Sequence, residues 1–156
     1  MVDMSDLKVR KVTIGDSSEI LRWRNNPETV QFSLSKKYVT QQEHEIWFHK
    51  KLDSLTNFMY VGTIDHLLVG VVNFSHTEDK LIFKLSINVA PETRSIGFGF
   101  KLLNLAEKEL NHEIGSCTLS AIVLKHNLRS LSFFRKCNYE LYTETKKIIE
   151  FRKNLD

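Results

Sequence analysis

The chain of 156 residues is 42% hydrophobic and 26% charged, a size and composition that suit one globular domain and exclude a disordered chain or a coiled coil. Lys and Arg number 22 against 19 Asp and Glu, and the resulting net charge of +3 is too small to predict a nucleic-acid-binding surface, although it is compatible with a small anionic ligand. The two cysteines, Cys117 and Cys137, lie far apart in the sequence and predict free thiols in a reducing cytoplasm.

A single domain over residues 1–156 is predicted, because no repeat, linker or low-complexity segment divides the sequence. No apolar run approaches the roughly 18 residues that a membrane span requires, and no secretion leader opens the sequence. We therefore expect a soluble cytoplasmic protein with no membrane partner.

The N-terminal third predicts one strand and two helices. Apolar and basic residues alternate in LKVRKVTI, as they do in a half-buried strand. A helix is predicted over SSEILRWRNN, with a start signal in Asp16 and Glu19 and a stop at Pro27. A second helix is predicted over QQEHEIWFHKKL, which opens on a capping box from Thr40 to Glu43.

The rest of the chain is predicted to be mostly strands. The runs NFMYVGTI and LLVGVVNFSH flank Asp65 and His66 and predict a hairpin, and LIFKLSINVA predicts a further strand that ends at Pro91. A glycine-containing loop and an amphipathic helix follow, then the strand TLSAIVL, the short helix NLRSLSFFRK and a closing strand pair over YELYTETKKIIEFRK. The predicted order β-α-α-β-β-β-α-β-α-β-β describes an α/β fold of mostly antiparallel hairpins, with one crossover through the glycine loop.

The glycine loop, RSIGFG from Arg94 to Gly99, directly precedes the apolar-periodic run FKLLNLAEKEL. A helix start carries unpaired N–H groups and a partial positive charge, and glycines let a phosphate approach the backbone closely. A dinucleotide-binding fingerprint needs a small residue where this chain has Leu102, and a P-loop needs a Gly-Lys-Ser/Thr that does not follow. A phosphate-binding loop and a plain tight turn both stay open on the loop alone.

The whole frame of strand, Pro91, Arg94-x-x-Gly97-x-Gly99 and amphipathic helix resembles the acetyl-CoA-binding motif of the GCN5-related N-acetyltransferase (GNAT) superfamily. The stretch HNLRSLSFFRKCNYE resembles the second half of the family pattern, which it matches at Asn127, Ser130, Lys136 and Tyr139. The resemblance covers nearly the whole chain. It implies a mostly antiparallel central sheet in which the fourth and fifth strands splay apart, flanked by four helices.

The resemblance also implies that acetyl-CoA is the acetyl donor, with its pyrophosphate on the loop amides and its pantetheine arm along the preceding strand. The residues that it assigns to the donor are Ile87, Asn88, Val89, Arg94, Ser95, Ile96, Gly97, Phe98, Gly99, Asn127, Ser130, Phe134 and Lys136. The family often has a tyrosine that protonates the leaving thiolate where this chain has Phe134, and a phenyl ring cannot donate a proton. Tyr142, Ser132 or a water stay open as substitutes.

The acceptor is assigned to the N-terminal third. The stretch ILRWRNNPETVQFSLSKKYVTQQEHEIWFHKKL resembles the aminosugar N-acetyltransferases of the pseudaminic acid pathway, which acetylate a 4-amino group on a UDP-linked sugar, although similar Arg-Asn-Pro stretches occur in ribosomal-protein and polyamine acetyltransferases. Guanidinium groups bind phosphates in a bidentate manner. Arg24, Asn25 and Trp47 are therefore predicted to bind the acceptor, whereas Arg22 is predicted to lie on a solvated face.

His44 is the candidate catalytic residue. It shares one helix face with Trp47, Phe48 and Leu52, so it is directed inward near the start of its helix. Such a histidine is either a buried structural residue or a base for the acceptor amine, and the catalytic role is the prediction carried forward. His49 and His66 are predicted to be surface residues, and no group of residues has metal-ligand spacing.

The predicted function is N-acetyl transfer from acetyl-CoA to a small-molecule amino-sugar nucleotide, by direct transfer in a ternary complex. The protein is expected to be a monomer or homodimer without a nucleic-acid partner. Acetylation of a protein N terminus or a polyamine, and a non-catalytic acetyl-CoA-binding module, stay open as alternatives.

Overall fold

A computed structural model describes residues 3–79, 81–94 and 96–156 of the chain. Its strands are β1 (Lys8–Lys11), β2 (Asn57–Ile64), β3 (Leu67–His76), β4 (Ile82–Val89), β5 (Cys117–Leu124), β6 (Glu140–Glu144) and β7 (Ile148–Leu155). Its α-helices are α1 (Ser17–Arg24), α2 (Pro27–Phe32), α3 (Gln41–Asp53), α4 (Phe98–Ile114) and α5 (Leu128–Lys136). The strands form one sheet in the order β1-β2-β3-β4-β5-β7-β6, which confirms the predicted α/β class and its mostly antiparallel sheet.

The described part of the chain has one α-helix more than the four that were expected. Pro27 was expected only to end α1, but it is the first residue of α2. Proline is tolerated at that position because its missing N–H would have no partner in the first turn of a helix. The side chain of Asn26 caps α2 by accepting a hydrogen bond of 3.2 Å from the backbone N–H of Glu28. The same short stretch therefore ends one helix and begins the next.

The sheet contains one parallel pair, and that pair is only partly formed. Strands β4 and β5 are joined by the crossover helix α4, and they pair from Ile82 to Lys84 with Thr118 to Ser120. Beyond this point β4 continues to Val89 and β5 to Leu124 without pairing to each other. The splayed fourth and fifth strands are thus confirmed, and a gap opens within the sheet toward the C-terminal end of β4.

A hydrophobic core lies on each face of the sheet. The larger core packs α4 and α5 against one face, and α4 contributes the fully buried Leu102, Leu103 and Leu110. Full burial of one such leucine stabilises the fold by about 1.5–3 kcal/mol. The smaller core lies on the other face, where Trp23 of α1 and Phe48 of α3 cover β2 and β3. Helices therefore cover both faces of the sheet.

Candidate active site

The gap between β4 and β5 exposes one edge of each strand. Residues Ile87, Asn88 and Val89 pair with β3 on their other side. On the gap side, β4 forms no ladder with β5 beyond Lys84. The carbonyl of Val89 accepts a hydrogen bond of 3.0 Å from Arg94, and the rest of this edge has no strand partner in the described residues. An unpaired edge of this kind binds an extended ligand that contains amides, as an added strand does. The three residues that were predicted to face the pantetheine arm therefore lie where such an arm fits.

The glycine loop leads from the end of β4 to the start of α4. Gly97 is the N-cap of α4 and has the left-handed backbone angle φ of +91°. No side chain among the described residues caps this end of the helix, and its first turn contains no acidic residue. The N–H groups at the start of this 17-residue helix are consequently available to an anion, which fits the pyrophosphate of acetyl-CoA. Predicted contacts at Ser95 lie outside the described residues.

The other predicted loop residues differ in what their side chains do. Ile96 is exposed beside Gly97, whereas the side chain of Phe98 is buried in the larger core, so that only its backbone can face a ligand. A Cβ atom on Gly99 would lie 3.2 Å from the ring of Phe133 and 3.3 Å from the side chain of Val89. Gly99 is therefore needed for close packing of α4 against β4 and α5, which the sequence pattern did not indicate.

The side chain of Arg94 turns back from the loop and is only 17% exposed. Its Nε donates to the carbonyl of Val89 at 3.0 Å. One terminal nitrogen donates to Thr29 Oγ1 at 2.6 Å and to Asn88 Oδ1 at 3.2 Å, and the other donates to Asn26 Oδ1 at 3.2 Å. Arg94 thus joins the end of β4 to the start of α2, and only its backbone is left for the predicted contact with the pyrophosphate.

The second motif forms α5. The side chain of Asn127 caps this helix by accepting a 3.3 Å hydrogen bond from the backbone N–H of Ser130. Phe134 is buried in the larger core and packs against the rings of Phe133 and Phe151. Lys136 is exposed, with its ammonium over the ring of Phe100. Of these residues Lys136 offers an exposed charge near the start of α4.

Tyr142 was a candidate proton donor for the leaving thiolate, and Tyr139 is a residue of the second motif. Tyr139 is buried and donates a 2.5 Å hydrogen bond to Glu107, and its burial raises its pKa far above the ordinary range. A hydroxyl so placed cannot supply a proton to a thiolate in the gap. Tyr142 is 54% exposed, and the guanidinium of Arg152 lies 3.5 Å from the centre of its ring.

His44 is 2% exposed and lies between α3 and α1. Its Nε2 is 3.0 Å from Ser17 Oγ, and its ring stacks on Phe48. Burial lowers the pKa of the imidazole, so the ring is neutral near neutral pH. A neutral imidazole suits a base, but a ring closed off from solvent does not reach an acceptor amine. The catalytic role of His44 therefore stays a prediction, and its contacts favour a role in positioning α1 against α3.

The variant His44→Phe distinguishes these two roles. The phenyl ring keeps the packing against Phe48 but loses the hydrogen bond to Ser17, which should lower the free energy of unfolding by about 1 kcal/mol. We expect kcat to stay within about threefold of the wild-type value, since a group that only positions helices takes no proton. A loss of roughly 100-fold in kcat, in a protein that still melts cooperatively, would identify His44 as the base.

The three residues predicted to bind the acceptor have different environments. The side-chain amide of Asn25 donates to the carbonyl of Val39 at 2.7 Å and accepts from the N–H of Val39 at 2.8 Å. Asn25 therefore fixes the segment before α3, and its contact with the acceptor stays a prediction. Trp47 is 40% exposed beside His44 and offers an apolar surface to a ligand.

Arg24 is a half-buried cation without an ion pair in the described residues. Its Nη2 donates to Ser35 Oγ at 3.1 Å, but its Nη1 is shielded from solvent and has no hydrogen-bond partner in the described part of the chain. Burial lowers the pKa of this guanidinium. Arg22, in contrast, is exposed and ion-paired to Glu19 at 2.9 Å and to Glu92 at 2.5 Å. Among these arginines, Arg24 is the one placed to bind an anion.

In the part of the chain that the structure describes, no three His, Cys, Asp or Glu residues are grouped so that they could hold a metal ion. Likewise, none of the helices in those residues is both long and apolar enough to cross a bilayer.

A parallel strand pair that splays beside an uncapped, glycine-led helix defines the site of an enzyme that transfers an acyl group from a coenzyme A thioester. The model of the acetyltransferase (GNAT) family matches residues 18–139, and the chain belongs to this family. The predicted family is thereby confirmed, and acetyl-CoA is the acetyl donor of an N-acetyltransferase.

Curated relatives of the chain include two proteins named acetyltransferase PseH. One, from Campylobacter jejuni subsp. jejuni serotype O:23/36 (strain 81-176), is 30% identical over 145 residues, which are 90% of this chain and 88% of the relative. The other, from C. jejuni serotype O:2 (strain ATCC 700819 / NCTC 11168), is 27% identical over 128 residues, which are 81% of this chain and 78% of the relative.

Among solved structures, a spermidine N-acetyltransferase from Vibrio cholerae, in complex with CoA and spermine, superposes with a TM-score of 0.85. It is 18% identical, and the superposition covers 96% of each chain. At this level of identity the likeness shows the fold alone.

Proposed function

We propose that this protein moves an acetyl group from acetyl-CoA to the amino group of a nucleotide-linked amino sugar. The observation that carries the proposal is the buried, unpaired Nη1 of Arg24, on the helix layer that covers the face of β3 and β4 beside the gap. A partly buried guanidinium without an ion-pair partner in the described residues is costly to fold, and an anionic acceptor would compensate its charge. The PseH relatives and the resemblance of the N-terminal third to aminosugar acetyltransferases agree with this acceptor class.

A polyamine acceptor fits the same side of the molecule less well. A polycation is bound by unpaired carboxylates, and three of the four carboxylates of α2 and α3 are already engaged, whereas Asp53 at the far end of α3 has no ion pair within the described residues. Glu28 forms ion pairs with Arg94 and Arg129, Glu43 closes the capping box of α3, and Glu45 accepts a hydrogen bond from Gln41. The charges of this region therefore favour an anion.

The chain would hold acetyl-CoA with the start of α4 at its pyrophosphate and the gap edge of Ile87 to Val89 along its pantetheine arm. The donor supplies an activated thioester carbonyl. The neutral acceptor amine would attack this carbon directly, so that the new C–N bond forms, the C–S bond breaks, the thiolate departs, and the amine proton passes to water. A coenzyme A thiol with a pKa of about 8.5 is a tolerable leaving group near neutral pH, so the lack of a tyrosine at Phe134 does not prevent transfer.

The test is a parallel assay of three acceptors, with release of free thiol as the readout. We expect turnover with UDP-linked 4-amino-6-deoxy sugars and little with spermidine or an N-terminal peptide. Preference for spermidine or the peptide would overturn the sugar proposal. Tight acetyl-CoA binding without turnover of any acceptor would favour a non-catalytic module. One GNAT domain over residues 1–156, a cytoplasmic location and a monomeric or homodimeric state stay predictions.

A further inference from the structure

A row of polar residues crosses the sheet on the face that carries α1 and α3. One residue from each of five neighbouring strands lies directly opposite the next, and we call these residues the transverse row: Asn57, Ser75, Lys84, Ser120 and Arg152. Residues directly opposite each other place their side chains on the same face of a sheet. Lys51 of α3 donates to Ser75 Oγ at 3.0 Å, which identifies this face as the one under α3.

The transverse row passes through the point where β4 and β5 separate. Lys84 and Ser120 are the last residues of the paired segment, and the gap begins immediately after them. The row therefore lies on the sheet surface at the closed end of the gap, next to the place where the acetyl donor is proposed to bind. Arg24 belongs to a helix on the same face of the sheet, because α1 packs over β3 and β4.

Arg152 is held in one orientation with part of its guanidinium free. Its Nε donates to Glu150 Oε2 at 2.6 Å, the same oxygen accepts from Ser120 Oγ at 3.1 Å, and the guanidinium lies over the ring of Tyr142. The two terminal nitrogens form no hydrogen bond with the residues that the structure describes, and the side chain is 27% exposed. A guanidinium fixed at Nε and stacked on one face presents its two terminal nitrogens as a fork that matches a phosphate.

Lys84 supplies a second free cation two strands away. Its side chain is exposed and has no hydrogen bond or ion pair within the described residues. Neighbouring strands lie about 4.8 Å apart, so the Cα atoms of Lys84 and Arg152 are separated by about 10 Å, and both long side chains can reach one group between them. Glu150 is already paired, and Glu140, opposite Arg152 on β6, has no ion pair in that part of the chain. Together with Lys51, the face carries three cations, Lys84, Arg152 and Lys51, against the two carboxylates of Glu150 and Glu140, so its net charge is positive.

We propose that a phosphate group of the acceptor binds across the transverse row, between Lys84 and Arg152, with Glu150 and Tyr142 as positioning residues for Arg152. The inference rests on the proposed function, since it adds a second contact, beside that of Arg24, for the nucleotide diphosphate of that acceptor. A phosphate at this place directs the attached sugar toward the gap. The same charges repel a polyamine.

The experiment is calorimetric titration of UDP into the complex of the enzyme with CoA. We expect Arg152→Gln and Lys84→Gln each to raise the Kd of UDP by about 10-fold, because each removes a charge-assisted hydrogen bond. Lys146→Gln, an equal charge change in the turn between β6 and β7, should leave the Kd within about twofold. The Kd of CoA should stay unchanged in all three variants, and the exposed position of Lys84 keeps one variant free of folding effects.

Equal UDP affinity in wild type and both row variants, or no UDP binding by wild type, would overturn the inference. Turnover of the UDP-linked amino sugar is measured in parallel, so the two proposals fail separately. Wild-type turnover with unchanged UDP affinity in the variants refutes only the transverse row. UDP binding that depends on Arg152 and Lys84, without turnover of the sugar, supports the phosphate site and refutes the proposed acceptor.

Discussion

Replacing Gly97 with alanine is expected to weaken acetyl-CoA binding by roughly 100-fold. Gly97 has a φ of +91°, a conformation that costs a residue with a Cβ atom about 1–2 kcal/mol. Relief of this strain rotates the peptide groups at the start of α4 away from the pyrophosphate, and a charge-assisted hydrogen bond that is lost there contributes about 1.5–3 kcal/mol. The nearest atoms to an added Cβ are those of Met4 at 3.5 Å, so the protein itself has room for the methyl group.

The matched control is Gly115→Ala, at the other end of the same helix. Gly115 also has a positive φ, +80°, and an added Cβ would meet nothing within 4 Å. Gly115→Ala should lose more stability than Gly97→Ala in thermal melts, because a positive φ with a ψ of −152° is a conformation nearly restricted to glycine. Only Gly97→Ala should lose acetyl-CoA affinity in calorimetry. Unchanged affinity in a folded Gly97→Ala protein would refute the loop assignment. Gly99→Val is a poorer test, because its side chain would press on Phe133 and Val89 and would mix packing with binding.

The variant Arg24→Met is expected to raise the acceptor KM by about 10- to 100-fold and to raise the thermal stability of the free protein. The affinity falls because the buried guanidinium no longer meets the anionic group of the acceptor. The stability rises because methionine fills a similar volume without a buried, unpaired Nη1. Within the described part of the chain, the one side-chain hydrogen bond lost is that to the exposed Ser35. Opposite changes of stability and binding are typical of groups that are kept for function.

Arg22→Met, two residues earlier on α1, is the control. Arg22 is exposed and paired with Glu19 and Glu92, so its loss should leave the acceptor KM within about twofold and should not stabilise the protein. The measurements are steady-state kinetics with saturating acetyl-CoA and a thermal melt without ligands. An unchanged KM for Arg24→Met, or an equal increase for Arg22→Met, would show that Arg24 does not bind the acceptor.

Features specified by short stretches of sequence could be predicted. The capping box of Thr40 and Glu43 opens α3 as expected, because both of its hydrogen bonds form within four residues. Gly97 begins α4 as expected, because few other residues adopt its backbone conformation. Pro27 was read as a stop alone, since the same residue suits a helix start and only the capping side chain of Asn26 decides between the two.

Features that depend on packing between distant segments could not be predicted. The inward turn of Arg94 requires α2, which lies more than 60 residues earlier in the chain. The burial of His44 depends on how α1 packs beside α3. The transverse row is invisible in the sequence, because its members come from five strands whose order and register must be known first. The alternation in IIEFRKNL indicates a strand but does not determine its neighbouring strand or the register of their pairing.

The gap between β4 and β5 places a sheet edge in the interior of the molecule. Strand edges normally lie at the two sides of a sheet, where other strands can pair with them. This edge lies between the helices that pack on the two faces of the sheet. The donor is in effect a removable strand of the sheet, so it contributes to the stability of the whole fold as well as to the reaction. A ligand that binds only the folded state at 100 times its Kd raises the free energy of unfolding by about 2.7 kcal/mol. A lower concentration of acetyl-CoA should thus also lower the folded fraction of the enzyme.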